Sequence, residues 1–408
     1  VTTIVEPAHT APELPGSVPG VSGFRDVSGH GSGLAGKKLR FERAAICSIF
    51  GDPLDRRTWS SAPFNIARRL QQYGVAVEGF STGIPRGELA VLAAHYTLRG
   101  YGAPRNSEAV LRSPPARRHA ADRLALALRR RGIQHVIHTG TMDLLPSRHA
   151  PELKHYLYCD QTWALSLLYR PDRDSYRPRA VEAFDLLEAE SLACAEHIFT
   201  FGTYVRDHII DHYGIPAEKV TAVGSGMGEI EPNHEPKDYT QPRLLFVAKH
   251  LFAAKGGHLL LDAFRIARTH RPDLTLTIVG DERSRPFVPD EPGIIFRAHV
   301  PWTELQQLFR DATLFTQPML NDPWGQVYLE ALLSRTPVLG LRRNGLPEIT
   351  EDGRHGFLVD KAEPEAVAAA ILDAISDPER LSRMGISGQQ HVLRSYSWDI
   401  AAQRIAFV

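Results

Sequence analysis

Residues 44–50 form an apolar run of buried type that ends at Gly51-Asp52, and a helix-length stretch follows at 62–73. In that stretch Phe64, Ile66, Ala67 and Leu70 share one side, Gly74 stops it, and 75–80 is β-prone again. Strand, loop, helix and strand in this order constrain the fold strongly. Strands joined through a helix lie parallel in one sheet, with a right-handed crossover. Ligands of such sheets gather at the strand-to-helix edge, here Ser60-Ser61-Ala62-Pro63.

The alternation continues with strands at 134–140, 155–160, 198–201 and 220–223, and helices near 116–130, 179–196 and 204–213. Residues 224–242 are polar and read as a linker. A second series then begins, with strands at 243–248, 274–279, 293–296, 313–316, one beginning at 337, and 356–360. Its helices are 257–269, 303–311, 325–334, 364–375 and 378–395, and a last short helix covers 398–407. The expected fold is α/β, with two facing Rossmann-like domains and a ligand cleft between them. Residues 1–39, rich in Pro, Gly, Ser and Thr, read as a mobile tail. The first domain is 40–225 and the second 226–393.

Composition excludes several classes. Formal net charge is zero, which gives no reason to expect a nucleic-acid partner. Cys47, Cys159 and Cys194 are scattered, without CxxC spacing, so a disulfide framework is not expected and a reducing compartment is. No run approaches the ~18–20 apolar residues of a membrane span, and the expected location is the cytoplasm. Residues 86–131 carry ten arginines against three acids. That surplus reads either as a solvated face or as a surface for an acidic acceptor or anionic lipid heads at the inner face of a membrane.

The chemistry gathers in the second half. Gly325, Gln326 and Val327 open a helix and offer unpaired amides to phosphate oxygens. Glu330 lies one turn deeper on the face of Gln326, among Leu329, Ala331, Leu332 and Leu333, and so needs a partner. Lys255-Gly256-Gly257 is a second strand-to-helix loop, suited either to a diphosphate or simply to a charged helix start. Asp322, before Pro323, is a turn former or an acceptor for sugar hydroxyls. Glu348 either caps amides or touches ligand. In the first half, His138 and Asp160 each follow a strand, where packing and function are both open readings.

Other motifs lack their context. Gly31-Ser-Gly33-Leu-Ala-Gly36 matches GxGxxG but precedes the first strand instead of following it, and Lys37 is followed by Lys38 rather than Ser or Thr. Asp172-Arg-Asp174 is a chance-level DxD, and HExxH is absent. No metal and no cofactor are expected.

The second half resembles glycosyltransferase family 4, the retaining family of GT-B fold. The likeness runs through Leu245-Phe-Val-Ala, Lys255-Gly256, Leu276-Thr-Ile-Val-Gly280, Asp322-Pro-Trp-Gly325 and Leu329-Glu-Ala331. It continues through Thr336-Pro-Val338, Gly345-Leu-Pro-Glu348, Asp352-Gly353 and Gly356-Phe-Leu-Val359. Looser similarity reaches back to Trp59-Ser-Ser-Ala-Pro63 and Tyr213-Gly-Ile-Pro. The resemblance implies a nucleotide diphospho-sugar donor in the second domain and an acceptor in the first. The acceptor would be a glycan, a glycolipid or a natural product. A final helix, within 394–408, would cross back to the first domain. Asp322 would contact the donor sugar, Glu330 the ribose, and Lys255 with the Gly325 amides the diphosphate. His299 and Val300 would frame the base, His138 would stand near the reacting sugar, and the departing phosphate would take the acceptor proton. This chain has Asp322 where the family has Glu, His250 where an Arg is frequent, and Ser60-Ser61 in place of a glycine pair. Alternatives are a catalytically weak nucleotide-sugar-binding subunit, or a phosphorylase or epimerase on the same fold.

Overall fold

The computed structural model describes residues 38–104, 106–142, 151–228, 230–248 and 251–407. Nearly all of the expected tail, with the GxGxxG match, lies outside the described residues, as does His250. Leu39, placed in the tail by its sequence, instead makes an antiparallel bridge to Phe407.

The first sheet holds β1 (Arg43–Ser48), β2 (Ala76–Ser81), β3 (His135–Thr139), β4 (Lys154–Cys159), β5 (His197–Thr200) and β6 (Val220–Ala222). Their order is β2-β1-β3-β4-β5-β6. The second holds β7 (Arg243–Ala248), β8 (Thr275–Gly280), β9 (Ile294–Ala298), β10 (Leu314–Thr316), β11 (Val338–Leu341) and β12 (Gly356–Val359), in the order β12-β11-β10-β7-β8-β9. Every pairing is parallel. Parallel strands are buried on both faces, and β1, β4 and β11 accordingly read as nearly unbroken buried runs.

Each order steps outward from one strand and then back past it. The first sheet therefore reverses at β1/β3 and the second at β7/β10, which is where the crevice of a doubly wound sheet opens. The helix Trp398–Ala406 leaves the second half and packs on the helix Ala62–Gln72 of the first. Tyr73 Oη donates to Asp399 at 2.5 Å, and Arg40 N donates to Ala406 O at 2.7 Å. One apolar cluster runs through both halves, from Ile46 and Leu70 through Trp324 and Tyr328 to Ile405. Among the described residues no helix is long and apolar enough to cross a membrane.

Candidate functional site

Two helix starts meet beside the second sheet. The helix Gly257–His270 follows Gly256, and the helix Gln326–Leu333 follows Gly325, with neither start capped by a side chain. Both glycines take left-handed backbone, φ 83° and 75°. A Cβ on Gly256 would stand 2.0 Å from Pro318 O, so only glycine lets the loop after β10 cross this helix start. The amides of Leu320 and Asn321 donate to Ala254 O at 2.8 and 3.0 Å. That lacing brings Lys255 Nζ within 2.7 Å of Asp322 Oδ2.

Burial alone would raise the Asp322 carboxyl. The Lys255 charge and hydrogen bond, with the amides of Trp324 and Gly325, hold it below its usual range. Glu330 is buried, and its Oε1 accepts from Gly228 N at 3.2 Å. Burial pushes its carboxyl up to about 7, against the Gly228 amide and the Lys255 charge. A carboxyl so placed has an unfilled appetite for hydrogen-bond donors, each worth about 1.5–3 kcal/mol to a charged group. A lysine between two uncapped helix starts suits the anionic oxygens of a diphosphate.

Asp160 follows β4 and faces this group from the first half. Burial pushes its carboxyl up to about 7, with help from the Asp322 charge. Tyr204 Oη lies between the two halves, 3.0 Å from Asp160 O and 2.5 Å from Pro323 O. Glu348 takes the capping option and crosses the gap. Its Oε2 accepts from both Thr203 N and Thr203 Oγ1 at 2.6 Å, at the start of the helix Thr203–Tyr213.

Lys255, Asp322, Gly325 and Glu330 thus come together, with Asp160 opposite. His138 does not join them. Strand alternation puts it on the face of Val136, which packs against the helix Pro114–Arg131. Its ring meets Cys47 Sγ at 3.4 Å and His155 Nδ1 at 3.1 Å inside the first sheet. The expected position beside a reacting sugar is therefore corrected.

Gln326 Nε2 donates to Gly226 O at 3.3 Å, and Val327 packs on the central core. His299 and Val300 follow β9, with His299 N donating to Gly280 O at 3.2 Å. Ser61 hydrogen-bonds Asn65 at 3.0 Å. Trp59, Ser60 and Ser61 all have positive φ, so this loop holds the backbone that a glycine pair takes without strain.

Three contributors escaped the sequence reading. Gly228, in the linker, supplies the amide to Glu330, and a Cβ there would come within 2.3 Å of that carboxylate. Trp302, half exposed, stands against Gly228. Trp324 is buried between the halves, with Nε1 donating to Ser225 Oγ at 2.7 Å and its ring edge-on to Phe201 at 6.1 Å. Its only sequence signal was its place beside Gly325.

Residues 229–391 match the family model for glycosyl transferases group 1. Over these residues the chain is similar to that family. A D-inositol 3-phosphate glycosyltransferase from Streptomyces avermitilis is 28% identical over 249 residues, 54% of this chain and 53% of the relative. A GDP-mannose-dependent alpha-(1-6)-phosphatidylinositol monomannoside mannosyltransferase from Mycolicibacterium smegmatis is 29% identical over 170 residues, 38% of this chain and 44% of the relative. The chain spans about half the length of these relatives. Among solved structures, a sucrose-phosphate synthase from Thermosynechococcus elongatus aligns with a TM-score of 0.68 at 15% identity, covering 89% of this chain and 97% of that one. Anabaena HepE in complex with UDP and glucose aligns with a TM-score of 0.60 at 15% identity, covering 89% and 98%. At these identities the likeness is one of fold: two Rossmann-like domains of GT-B type.

Proposed function

We propose that the chain is a retaining glycosyltransferase that moves a hexosyl group from a nucleotide diphospho-sugar to an acceptor hydroxyl. The observation that carries this reading is the Lys255–Asp322 pair between two uncapped helix starts, with Glu330 one turn behind. The matched family and the glycosyl-transferring relatives support it. The diphosphate lies against Lys255 and the Gly325, Gln326 and Val327 amides, the ribose diol on Glu330, and the base near His299 and Val300. In the apo chain Asp322 neutralises Lys255. A donor takes over the lysine through its phosphates and frees Asp322 to orient the sugar. The anomeric carbon–oxygen bond breaks toward the diphosphate, and the acceptor oxygen bonds the carbon on the same face. The acceptor proton passes to the departing phosphate. Lys255 and the helix amides stabilise the charge that grows on that phosphate. In this reading they carry the stabilisation unaided by a metal, so a chelator leaves transfer intact. Asp160 lines the acceptor side.

The test is a panel of UDP-, GDP-, ADP- and TDP-sugars, read first as binding and donor hydrolysis and then as transfer to acceptors. Glu330→Ala is expected to weaken nucleotide binding at least tenfold, and Lys255→Ala to lower turnover about a hundredfold. Unchanged nucleotide affinity in Glu330→Ala would sink the ribose assignment. Tight donor binding with no transfer to any acceptor would replace the enzyme by a nucleotide-sugar-binding subunit.

A further inference from the structure

A second cluster lies apart from the cleft and takes no part in the proposed transfer. Glu351 and His355 stand on the turns between the helix Leu346–Ile349 and β12, and His391 is on the helix Pro378–Ser395. One ligand atom from each lies within 4.8 Å of the other two. His355 Nε2 is 3.1 Å from Glu351 Oε2, and His391 Nδ1 is 3.1 Å from Glu351 Oε1. The two imidazoles stack with centroids 4.9 Å apart and planes 24° apart. Both rings are buried, while the glutamate side chain is 38% exposed.

Each ring presents one nitrogen to the glutamate. Ser387 Oγ lies 3.0 Å from His355 Nδ1 and 3.2 Å from Met384 O. With the serine on Nδ1, Nε2 is the ring atom that faces the carboxylate. Nε2 and that carboxylate oxygen, 3.1 Å apart, are both atoms that ligate a divalent cation. His391 Nε2 is buried with no hydrogen-bond partner among the described residues, so the polar contacts of that ring are made by Nδ1, to Glu351 Oε1 at 3.1 Å and to Ser395 Oγ at 3.5 Å. The serine on Nδ1 of His355 is the kind of outer partner that orients a ligating imidazole.

We infer that Glu351, His355 and His391 bind a divalent ion of the zinc class. Two imidazole nitrogens and a carboxylate, each of whose oxygens faces one imidazole, are ligands suited to Zn2+. Tetrahedral bonds of about 2.0–2.1 Å place neighbouring ligand atoms about 3.3 Å apart, close to the 3.1 Å from His355 to Oε2 and from His391 to Oε1, with all three ligand atoms within 4.8 Å. Water fills the fourth position on the exposed side of Glu351. The ion fastens this turn to the long helix about one turn before Tyr396, where the chain heads back to the first half. Glu348, three residues before Glu351, already holds Thr203 of that half. The ion therefore braces the edge of the second half that touches the first.

The test uses the full chain without an affinity tag, stripped with chelator and titrated with Zn2+ by calorimetry and with Co2+ by its visible absorption. One saturable equivalent is expected, with a tetrahedral Co2+ spectrum and a rise in melting temperature. Glu351→Gln and His391→Gln are each expected to weaken that equivalent at least tenfold, with folding in chelator checked by circular dichroism. Glu351 is at the surface, so its variant decides the matter alone if the histidine variant fails to fold. Absence of a saturable equivalent, or one unchanged in Glu351→Gln, overturns the inference and leaves a hydrogen-bonded cluster. Nucleotide binding is not part of the readout, so the result stands apart from the proposed transfer reaction.

Discussion

Asp160 and Asp322 are both carboxyls near one cleft, yet their environments pull them in opposite directions. Asp322 has Lys255 at 2.7 Å and is held low. Asp160 has burial and the Asp322 charge, and is pushed up to about 7. An unfolded aspartate ionises near its ordinary value of 3.8. Between about 4 and 7 the unfolded chain is thus ionised at Asp160 while the folded one holds its proton. The stability this group contributes is complete below about 4 and is lost as pH rises to about 7. Asp160→Asn should remove that loss, so the variant gains on the parent between pH 4 and pH 8 in urea-unfolding midpoints. Parallel pH profiles for the two proteins would mean that Asp160 is solvated and titrates normally. The sequence could place Asp160 at a strand end but not decide between its two readings, because the perturbing charge is 162 positions away on the other half. His138 failed for a related reason. A strand end marks the edge of the sheet, but alternation decides the face, and the face was read from position alone.

At the scale of elements, the strand-to-helix units were legible almost throughout. The second half in particular alternates cleanly, and the helices Pro364–Ile375 and Pro378–Ser395 fall where Pro at the first turn marks them. The arginine-rich segment was harder. Its helices Arg86–Tyr96 and Ser107–Arg112 bury few side chains, and Val91 and Leu98 point outward, so no apolar stripe announces them. Sheet order was not legible, since one buried parallel strand looks like another. The functional elements depend on Gly256. Its Cβ would meet backbone rather than a yielding side chain, and its φ of 83° adds strain. Gly256→Ala is expected to cost at least about 2 kcal/mol and to displace the 318–325 loop from Lys255. A variant within about 0.5 kcal/mol of the parent, with donor binding intact, would show that the loop can pass over an alanine.

Across the whole molecule, the two halves share one apolar cluster, and Trp324 is its centre piece. Phe201 and Tyr396 both meet its ring edge-on, at 6.1 and 5.8 Å, and a Cβ on Gly202 would lie 2.7 Å from it. Trp324→Ala is expected to destabilise the chain by about 3–5 kcal/mol and to leave each sheet intact, measured by chemical unfolding with circular dichroism. A loss below about 1 kcal/mol would mean that the halves associate without it. This joint was the least legible feature of all. Its members, Phe201, Ser225, Trp324 and Tyr396, come from four separate stretches, and no local pattern links them.

The helix Trp398–Ala406 covers the first sheet's side of the molecule, with Ala401, Ala402, Ile405 and Ala406 buried. On a ribosome that cover is made after every strand of the second sheet has emerged. A nascent first half therefore waits, with its apolar face around Ile66 and Leu70 uncapped, while about 170 further residues are synthesised, some ten to thirty seconds at ordinary elongation rates. The second half can finish first although it is made later, and the late helix closes the molecule. Chaperone occupancy on stalled nascent chains is thus expected to persist past residue 393 and to fall once the segment through Ala406 is free of the exit tunnel.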